Sequence, residues 1–231
     1  MLLLLAVSAP AVFAVPPGLN LGWEACGPAG QTMRTFACDR NDGTNTLVGS
    51  VVPPFTFDRT IGIDAGVIVG FPNGPVPSWR LMVNPGSCRH SSLTVNFQPT
   101  DAACRDYWSA VGGASGSISF WPGDPGSNGI IVDVHASVDT ARAGTIYSGI
   151  EYFLFNLVLD NALTVGASSC EGCGQPTVIT FRSVWIDYQG GRLGFGYPSR
   201  RYAVTWQSSI DICHAVPVQN RTWGELKALY R

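Results

Sequence analysis

The sequence predicts an all-β domain, an antiparallel two-sheet sandwich of jelly-roll type with a short C-terminal helix. Three observations support this prediction. Apolar residues alternate with polar or small ones over several short stretches, which is the period of a half-buried strand. Turn-forming sequences rich in Gly, Pro and Asn separate these stretches. No helical pattern of about 10–15 residues lies between them, which argues against the strand–helix alternation of an α/β fold.

The N-terminal residues predict a secretory signal peptide. Residues 1–14 read MLLLLAVSAPAVFA, an apolar run that ends in small residues of the kind that a signal peptidase accepts. The Lys or Arg that usually precedes such a run is missing. The run is too short to span a bilayer, which takes about 20 apolar residues. We therefore expect cleavage after Ala14, export to an oxidising compartment, and a sandwich domain over residues 15–217.

The predicted strands follow one another along the chain. In residues 128–138 apolar residues recur at every second position, and Asp133 and His135 fall on the opposite face. Residues 151–161 are apolar on both faces at first, which is typical of a central strand covered on both sides. The main predicted strands comprise residues 60–69, 93–97, 128–138, 151–161, 177–188 and 202–206.

Two segments predict helices. DAACRDYWSA at residues 101–110 predicts a short turn of helix held by Cys104. TWGE at residues 222–225 has the form of a capping box, in which a Thr and a Glu three residues later satisfy free amides at a helix start. We therefore expect a tail helix within residues 218–231, whose apolar side docks on the sandwich or serves in sorting.

The composition narrows the class of function. Charged residues are 13% of the chain and the formal net charge is -2, so the sequence offers no basic surface for nucleic acid. Sparse charge together with 27 Gly and 16 Pro is typical of short strands joined by tight loops. No second long apolar run follows the predicted signal, and we expect no transmembrane segment in the mature chain.

Seven cysteines fall after the predicted signal peptide, and disulfides are their default use in an exported chain. Connectivity does not follow from sequence, and bridges between near neighbours are the most economical hypothesis. This hypothesis pairs Cys26–Cys38, Cys88–Cys104 and Cys170–Cys173. Cys213 is then left over, although it can instead pair with Cys170 or Cys173 and leave the other one free.

Two motifs are candidates for metal chemistry. CEGC at residues 170–173 has the spacing of redox and zinc sites, and Cys213 with His214 would supply the two further zinc ligands. Its glycine and the lack of a surrounding βαβ pattern favour a structural disulfide. DRNDGTN at residues 39–45 is similar to a calcium loop, but it is one residue short and lacks the final acid, so a hairpin turn is preferred. We expect no metal and no organic cofactor.

The sequence favours no catalytic site, and only weak candidates emerge. Asp133 and His135 project from one face of a strand, where a carboxylate-oriented imidazole can act as a general base. Glu151 would add a second carboxylate. No GxSxG elbow supplies a nucleophilic serine, and polar residues on a solvated sheet face need no catalytic explanation.

The tryptophans are a more informative set. Several lie near predicted strand ends or loops, at Trp79, Trp108, Trp121, Trp185 and Trp206. Aromatic rings exposed on a rigid sheet can stack on the C–H faces of sugar rings, whereas large aromatics in a β core are the simpler interpretation.

Several stretches together resemble an uncharacterised group of secreted, β-rich bacterial proteins. The stretches that carry the resemblance are GLNLGWEAC at 18–26, TFAC at 35–38, EYF at 151–153, CEGC at 170–173 and VTWQ at 204–207. The tail TWGELKALYR at residues 222–231 is similar to endings of otherwise different exported proteins of such bacteria. The resemblance implies secretion and carries over no activity.

Taken with the composition, these features predict an exported, non-catalytic binding or structural module of the cell surface or extracellular space, with the periplasm as a further location. Its ligand is unknown, with a glycan or another surface protein as candidate partners. The alternative hypothesis is a secreted hydrolase acting on carbohydrate or ester through Asp133 and His135 or Glu151.

Overall fold

The computed structural model describes residues 16–72, 74–82, 85–123, 128–196 and 201–208. The predicted signal peptide, the tail helix and Cys213 with His214 lie outside these residues. One short α-helix, α1 (Tyr107–Ala110), and three 3₁₀ turns (Gly27–Ala29, Ser78–Arg80 and Thr140–Arg142) occur within them. The strands of the described residues are β1 (Gly18–Trp23), β2 (Met33–Arg34), β3 (Thr44–Val52), β4 (Phe57–Thr60), β5 (Gly62–Gly70), β6 (Leu93–Asn96), β7 (Arg105–Asp106), β8 (Ser115–Pro122), β9 (Gly129–Ser137), β10 (Gly144–Ile146), β11 (Tyr152–Asp160), β12 (Thr177–Tyr188), β13 (Gly191–Gly196) and β14 (Ala203–Trp206).

The strands form two large sheets and one small ribbon. The five-stranded sheet has the order β1–β3–β11–β6, with β7 also pairing to β11. The seven-stranded sheet has the order β2–β14–β12–β5–β9–β8, and β13 pairs with the second half of β12. β4 and β10 form the ribbon. Only the two-residue pairings of β7 with β11 and of β2 with β14 are parallel among the described residues. The all-β sandwich prediction is confirmed.

The core lies between the two large sheets, because their inward positions are apolar at every second residue. On β5 the inward residues Ile63, Ala65 and Val67 are buried, as the sequence predicts, whereas Asp64 and Ile68 on the opposite face are partly exposed. β11 is buried on both faces over its first residues, and Phe155 packs edge-on against Phe181 of the facing sheet at 5.6 Å between ring centroids. These aromatic contacts join the two sheets.

The predicted helix at residues 101–110 is confirmed only at its end. Helix α1 is one turn long and begins after Asp106, whose carboxylate accepts a hydrogen bond of 3.1 Å from the Ser109 amide. The Trp108 indole donates to the Leu154 carbonyl at 2.7 Å, so the turn is fastened to β11. None of the helices in the described part of the chain has the length and apolar character needed to cross a lipid bilayer.

Six cysteines form three disulfides, but every predicted pairing is wrong. The bridges are Cys26–Cys104, Cys38–Cys173 and Cys88–Cys170, with Cα–Cα distances of 5.8, 6.0 and 5.9 Å. Cysteines that are close in the sequence are separated in the fold. Cys26 follows β1 of the five-stranded sheet, whereas Cys38 follows β2 of the seven-stranded sheet. Cys104 precedes β7, which pairs with β11 of the five-stranded sheet. A disulfide needs Cα atoms about 4.4–6.8 Å apart, so spatial rather than sequence neighbours pair.

A buried group of aromatic and guanidinium side chains, which we call the inner stack, includes Arg89 next to the bridged Cys88. It comprises Trp23, Trp79, Arg80, Arg89 and Trp206, each at most 1% exposed. The Trp206 ring lies 5.2 Å from Trp23 and 5.8 Å from Trp79 between centroids. The Arg89 guanidinium lies 3.6 Å from the centroid of Trp79 and donates to the carbonyls of Trp79, Asp160 and Ala162.

Candidate functional site: the outer face of the seven-stranded sheet

The outer face of the seven-stranded sheet points away from the core and carries polar residues, small residues and two exposed tryptophans. Strand pairing aligns one row of residues straight across five strands of this sheet. The row is Ser117 of β8, His135 of β9, Asp64 of β5, Trp185 of β12 and Gly194 of β13. Side chains directly opposite on antiparallel strands have Cβ atoms about 4.5–5.5 Å apart, so each side chain of the row is within reach of the one on the adjacent strand.

Charged groups at the centre of this row form a network. The Asp64 carboxylate contacts the His135 imidazole through Nδ1 with one oxygen and the Arg192 guanidinium with the other. Arg192 also lies 3.7 Å from the Asp187 carboxylate. Asp64 therefore orients a cation on one side and an imidazole on the other.

The Trp185 indole lies flat on the backbone of Gly194. A Cβ atom at Gly194 would lie 2.5–2.7 Å from three atoms of the six-membered ring, so only glycine leaves room for it. Nearly equal distances to three ring atoms mean that one ring face covers the glycine. The side chain is 46% exposed, so about half of its surface remains available to a ligand. The Arg192 guanidinium lies 5.4 Å from the ring centroid.

The row borders a shallow depression of about 740 Å³. Gly62, Ser115 and Ser137 are the next residues along β5, β8 and β9 and line its floor. Asp64, Ser117 and His135 line one side, whereas Thr140, Asp187 and Gly191 lie towards the other. The rest of the lining is apolar and includes Ile61, Val138 and Tyr188, so the depression offers both apolar surface and hydroxyl groups beside the charged network.

A second exposed tryptophan lies elsewhere on the same face. Trp121 of β8 is 56% exposed, and its indole donates to the Ser119 hydroxyl at 3.2 Å. It stands opposite Ile131 of β9, which in turn pairs with Ile68 of β5. Of the five tryptophans considered from the sequence, Trp79, Trp108 and Trp206 are buried, so the core interpretation holds for these three and fails for Trp121 and Trp185.

The weak catalytic candidates do not converge. Asp133 and His135 share the outer face, but the carboxylate that contacts His135 belongs to Asp64 of the neighbouring strand. Glu151 lies beside the other sheet, where its carboxylate accepts hydrogen bonds from Asn20 at 2.8 Å and Ser50 at 2.7 Å. Among the described residues, the one cluster with metal-ligand spacing joins Glu151 to the sulfurs of Cys26 and Cys104, which are consumed in their disulfide.

The calcium-like segment at residues 39–45 is neither an oxygen cage nor a hairpin turn. It connects β2 to β3, and these strands belong to different sheets. The Asn41 carboxamide oxygen accepts from the amides of Thr164 and Val165 at 2.8 and 2.9 Å, so it ties this segment to a distant loop. The Asp39 carboxylate lies 3.2 Å from its neighbour Arg40. In the CEGC loop, both cysteines bridge to distant segments.

Sequence reasoning missed Asp64, Arg192 and Ser117 as members of the site. The alternation around Asp64 does place it outward, between the buried residues Ile63 and Ala65. In the sheet, β5 lies between β9 and β12, and this order brings Asp64 next to His135 and Arg192. No pattern in the sequence indicates this order of strands. The strand pairing, which is long-range, carries the missing information.

Comparisons with known proteins add little to this geometry. No family model and no curated protein matches the sequence. Among solved structures, the chain is similar to a cohesin module from a family 33 glycoside hydrolase of Clostridium perfringens ATCC13124. The similarity has a TM-score of 0.32 and 6% identity, and covers 83% of this chain and 98% of that one. A likeness of this size carries no argument about function.

Proposed function

We propose that this protein is an exported, non-catalytic binding module of the bacterial cell surface or extracellular space, and that it binds its ligand on the outer face of the seven-stranded sheet. The observation that carries the proposal is the half-exposed ring of Trp185 beside the Asp64–Arg192–His135 network. Exposed Trp and Arg are the residue types enriched at binding hot spots. The three disulfides fit an oxidising compartment, because such bridges persist there and are rare in the cytosol.

The rigidity of the site supports binding over a purely structural role. Trp185 is held against the backbone, and the charged side chains are held by one another, so little side-chain freedom is lost when a ligand docks. A tryptophan that only filled space would be buried, as Trp206 is. An exposed tryptophan that is held in one orientation instead offers a contact surface to a partner.

The test is retention of the purified protein on cell-envelope material of its source cells. We expect the wild type to be retained and the double variant Trp121→Ala/Trp185→Ala to lose most of its retention. Phe55→Ala is the matched control, since Phe55 is a 61% exposed aromatic residue on the loop between β3 and β4. Equal retention of the wild type and the double variant would exclude this face as the binding surface.

A hydrolase is the second candidate function, and one observation favours it. Ser117 and Asp64 flank His135 on opposite sides in the same row, which is the order of a nucleophile, a base and an orienting acid. If the protein hydrolyses esters, Ser117→Ala and His135→Ala will each abolish turnover while the fold stays intact. A substrate panel with these two variants decides between the two functions.

A further inference from the structure

We propose that the ligand of the outer face is a neutral glycan chain, which enters the depression beside Asp64 and His135 and stacks on Trp185. This inference rests on the function proposed above and names its ligand class. The geometry points to it through three independent features, namely the orientation of an aromatic ring, the kinds of hydrogen-bonding groups next to it, and the balance of charge.

The aromatic feature is the exposed part of the Trp185 ring. The ring lies against the backbone of Gly194 and is 46% exposed, and the Arg192 guanidinium lies 5.4 Å from its centroid. A pyranose ring presents an apolar face of C–H groups that matches the negative face of an indole. The depression beside the ring combines apolar side chains, such as Ile61, Val138 and Tyr188, with serine hydroxyl groups, and a sugar chain presents C–H faces and hydroxyl groups that complement both.

The hydrogen-bonding feature is the mixture of donors and acceptors that begins beside that ring and continues across the depression to β8. Sugar hydroxyls donate and accept at once, so their partner must offer both. Asp64 and Asp187 supply carboxylate acceptors, and Arg192 supplies donors fixed between them. The hydroxyl groups of Ser115, Ser117, Ser137 and Thr140 add groups that can do either. Hydrogen bonds to charged groups are among the stronger ones, which favours a polar ligand.

The charge feature excludes strongly charged ligands. The described part of the face carries three carboxylates, two guanidiniums and one imidazole. These residues are Asp64, Asp133, Asp187, Arg182, Arg192 and His135. Such a near balance gives no field to attract a polyanion or a polycation. A neutral polyhydroxylated chain is the ligand that this balance complements.

Trp121 extends the site for longer chains. It is three strand spacings from Trp185 across the sheet, about 14 Å, and its row lies four residues further along the strands, about 13 Å. The two rings are therefore about 20 Å apart on one face. A short oligosaccharide bound at Trp185 cannot reach Trp121, whereas a longer chain can stack on both.

The experiment is calorimetric titration of the full chain with disaccharides and hexasaccharides derived from cellulose, xylan, mannan and chitin. We expect at least one series to bind, with the hexasaccharide tighter than the disaccharide. Trp185→Ala and Asp64→Asn should weaken both by about tenfold or more, Trp185→Tyr should retain most of the affinity, and Phe55→Ala should change nothing. Trp121→Ala should weaken the hexasaccharide alone. Far-UV circular dichroism and melting temperature verify that each variant is folded.

The outcomes separate this inference from the proposed function. If no sugar series binds, or if Trp185→Ala binds as the wild type does, the glycan inference is wrong. Treating the envelope material with periodate, which cleaves vicinal sugar diols, together with lysozyme and chitinase, which cleave 1,4-linked 2-acetamido sugars that lack such diols, should abolish the retention of the wild type, whereas protease treatment should not. The reverse result would assign the same face to a protein partner and leave the proposed binding function standing. Retention independent of both tryptophans would contradict both proposals.

Discussion

The inner stack and the outer face use the same two residue types in opposite ways. In the inner stack, Arg89 lies 3.6 Å from the centroid of Trp79 and both side chains are fully buried. On the outer face, Arg192 lies 5.4 Å from the centroid of Trp185 and both are about half exposed. The buried guanidinium is satisfied mainly by carbonyl groups, whereas the exposed one is satisfied by carboxylates.

This difference determines what each pair contributes. Burial removes water from the Arg89 guanidinium, so the surrounding carbonyl groups must accept its hydrogen bonds. The Arg89–Trp79 pair therefore contributes to the stability of the fold. Burial, followed by the charge of Arg89, also holds the pKa of Arg80 well below its usual value. On the outer face water competes for every contact, and the pair contributes little to stability.

Removing the bridge next to the inner stack should have the largest effect on stability. Cys88 and Cys170 are 82 residues apart, and a loop of this length predicts a loss of about 4.5 kcal/mol in the chain-entropy model. We expect the variant Cys88→Ala/Cys170→Ala to show that loss in urea unfolding. It should also lose near-UV circular dichroism, because Cys88 adjoins Arg89 and positions it on Trp79.

Cys26→Ala/Cys104→Ala is the control for this experiment, with a separation of 78 residues. It should lose a similar free energy of unfolding and keep more of the near-UV signal of the stacked tryptophans. If both variants lose the same near-UV signal, the bridge beside the stack has no special role in ordering it.

Arg89→Met should have the next largest effect. The methionine fills a similar volume but leaves the carbonyls of Trp79, Asp160 and Ala162 without their buried donor. We expect a loss of about 3 kcal/mol in the free energy of unfolding. Arg89→Lys should recover only part of it, because an ammonium cannot reproduce the planar fork over the ring. Wild-type stability of either variant would contradict the structural role of the stack.

The pH dependence of the same residue gives a smaller effect with a defined sign. Burial lowers the pKa of Arg89 to about 10, against the charge and hydrogen bond of Asp160, which raise it. Above that pH the unfolded chain binds a proton that the folded chain has released, so the Arg89 contribution to stability rises with pH. The stability difference between wild type and Arg89→Met should therefore grow by about 1 kcal/mol from neutrality to about pH 11. A constant or shrinking difference in urea titrations would contradict a lowered pKa for this guanidinium.

The local pattern of the sequence predicted which residues face the core, but the partners across the sheets lay beyond it. The alternation on β5 and β9 identified Ile63, Ala65, Val132 and Val134 as inward residues, and all four are buried. The same alternation placed His135 outward. Local pattern is enough for these assignments because the period of a strand depends only on its own residues.

Pairing across long distances is where sequence reasoning failed. The three disulfides join residues 78 to 135 positions apart, and the preference for near neighbours missed all of them. Sequence reasoning placed the carboxylate partner of His135 on the same strand, at Asp133. The observed partner is Asp64, which is 71 residues away in the sequence. Burial of a tryptophan depends on the same long-range packing, which is why Trp79 and Trp185 look alike in the sequence.

Arg192→Met should have the smallest effect on stability and a clear effect on binding. The Arg192 side chain is 49% exposed and its carboxylate partners remain hydrated when it is removed, so the free energy of unfolding should change by less than about 0.5 kcal/mol. The same variant removes the donor that holds Asp64 and Asp187 together beside Trp185, and oligosaccharide affinity should fall by about tenfold. Urea unfolding and calorimetric titration on one preparation measure both quantities. A loss of stability comparable to that of Arg89→Met would mean that the outer pair is part of the fold, and the contrast between the two regions would disappear.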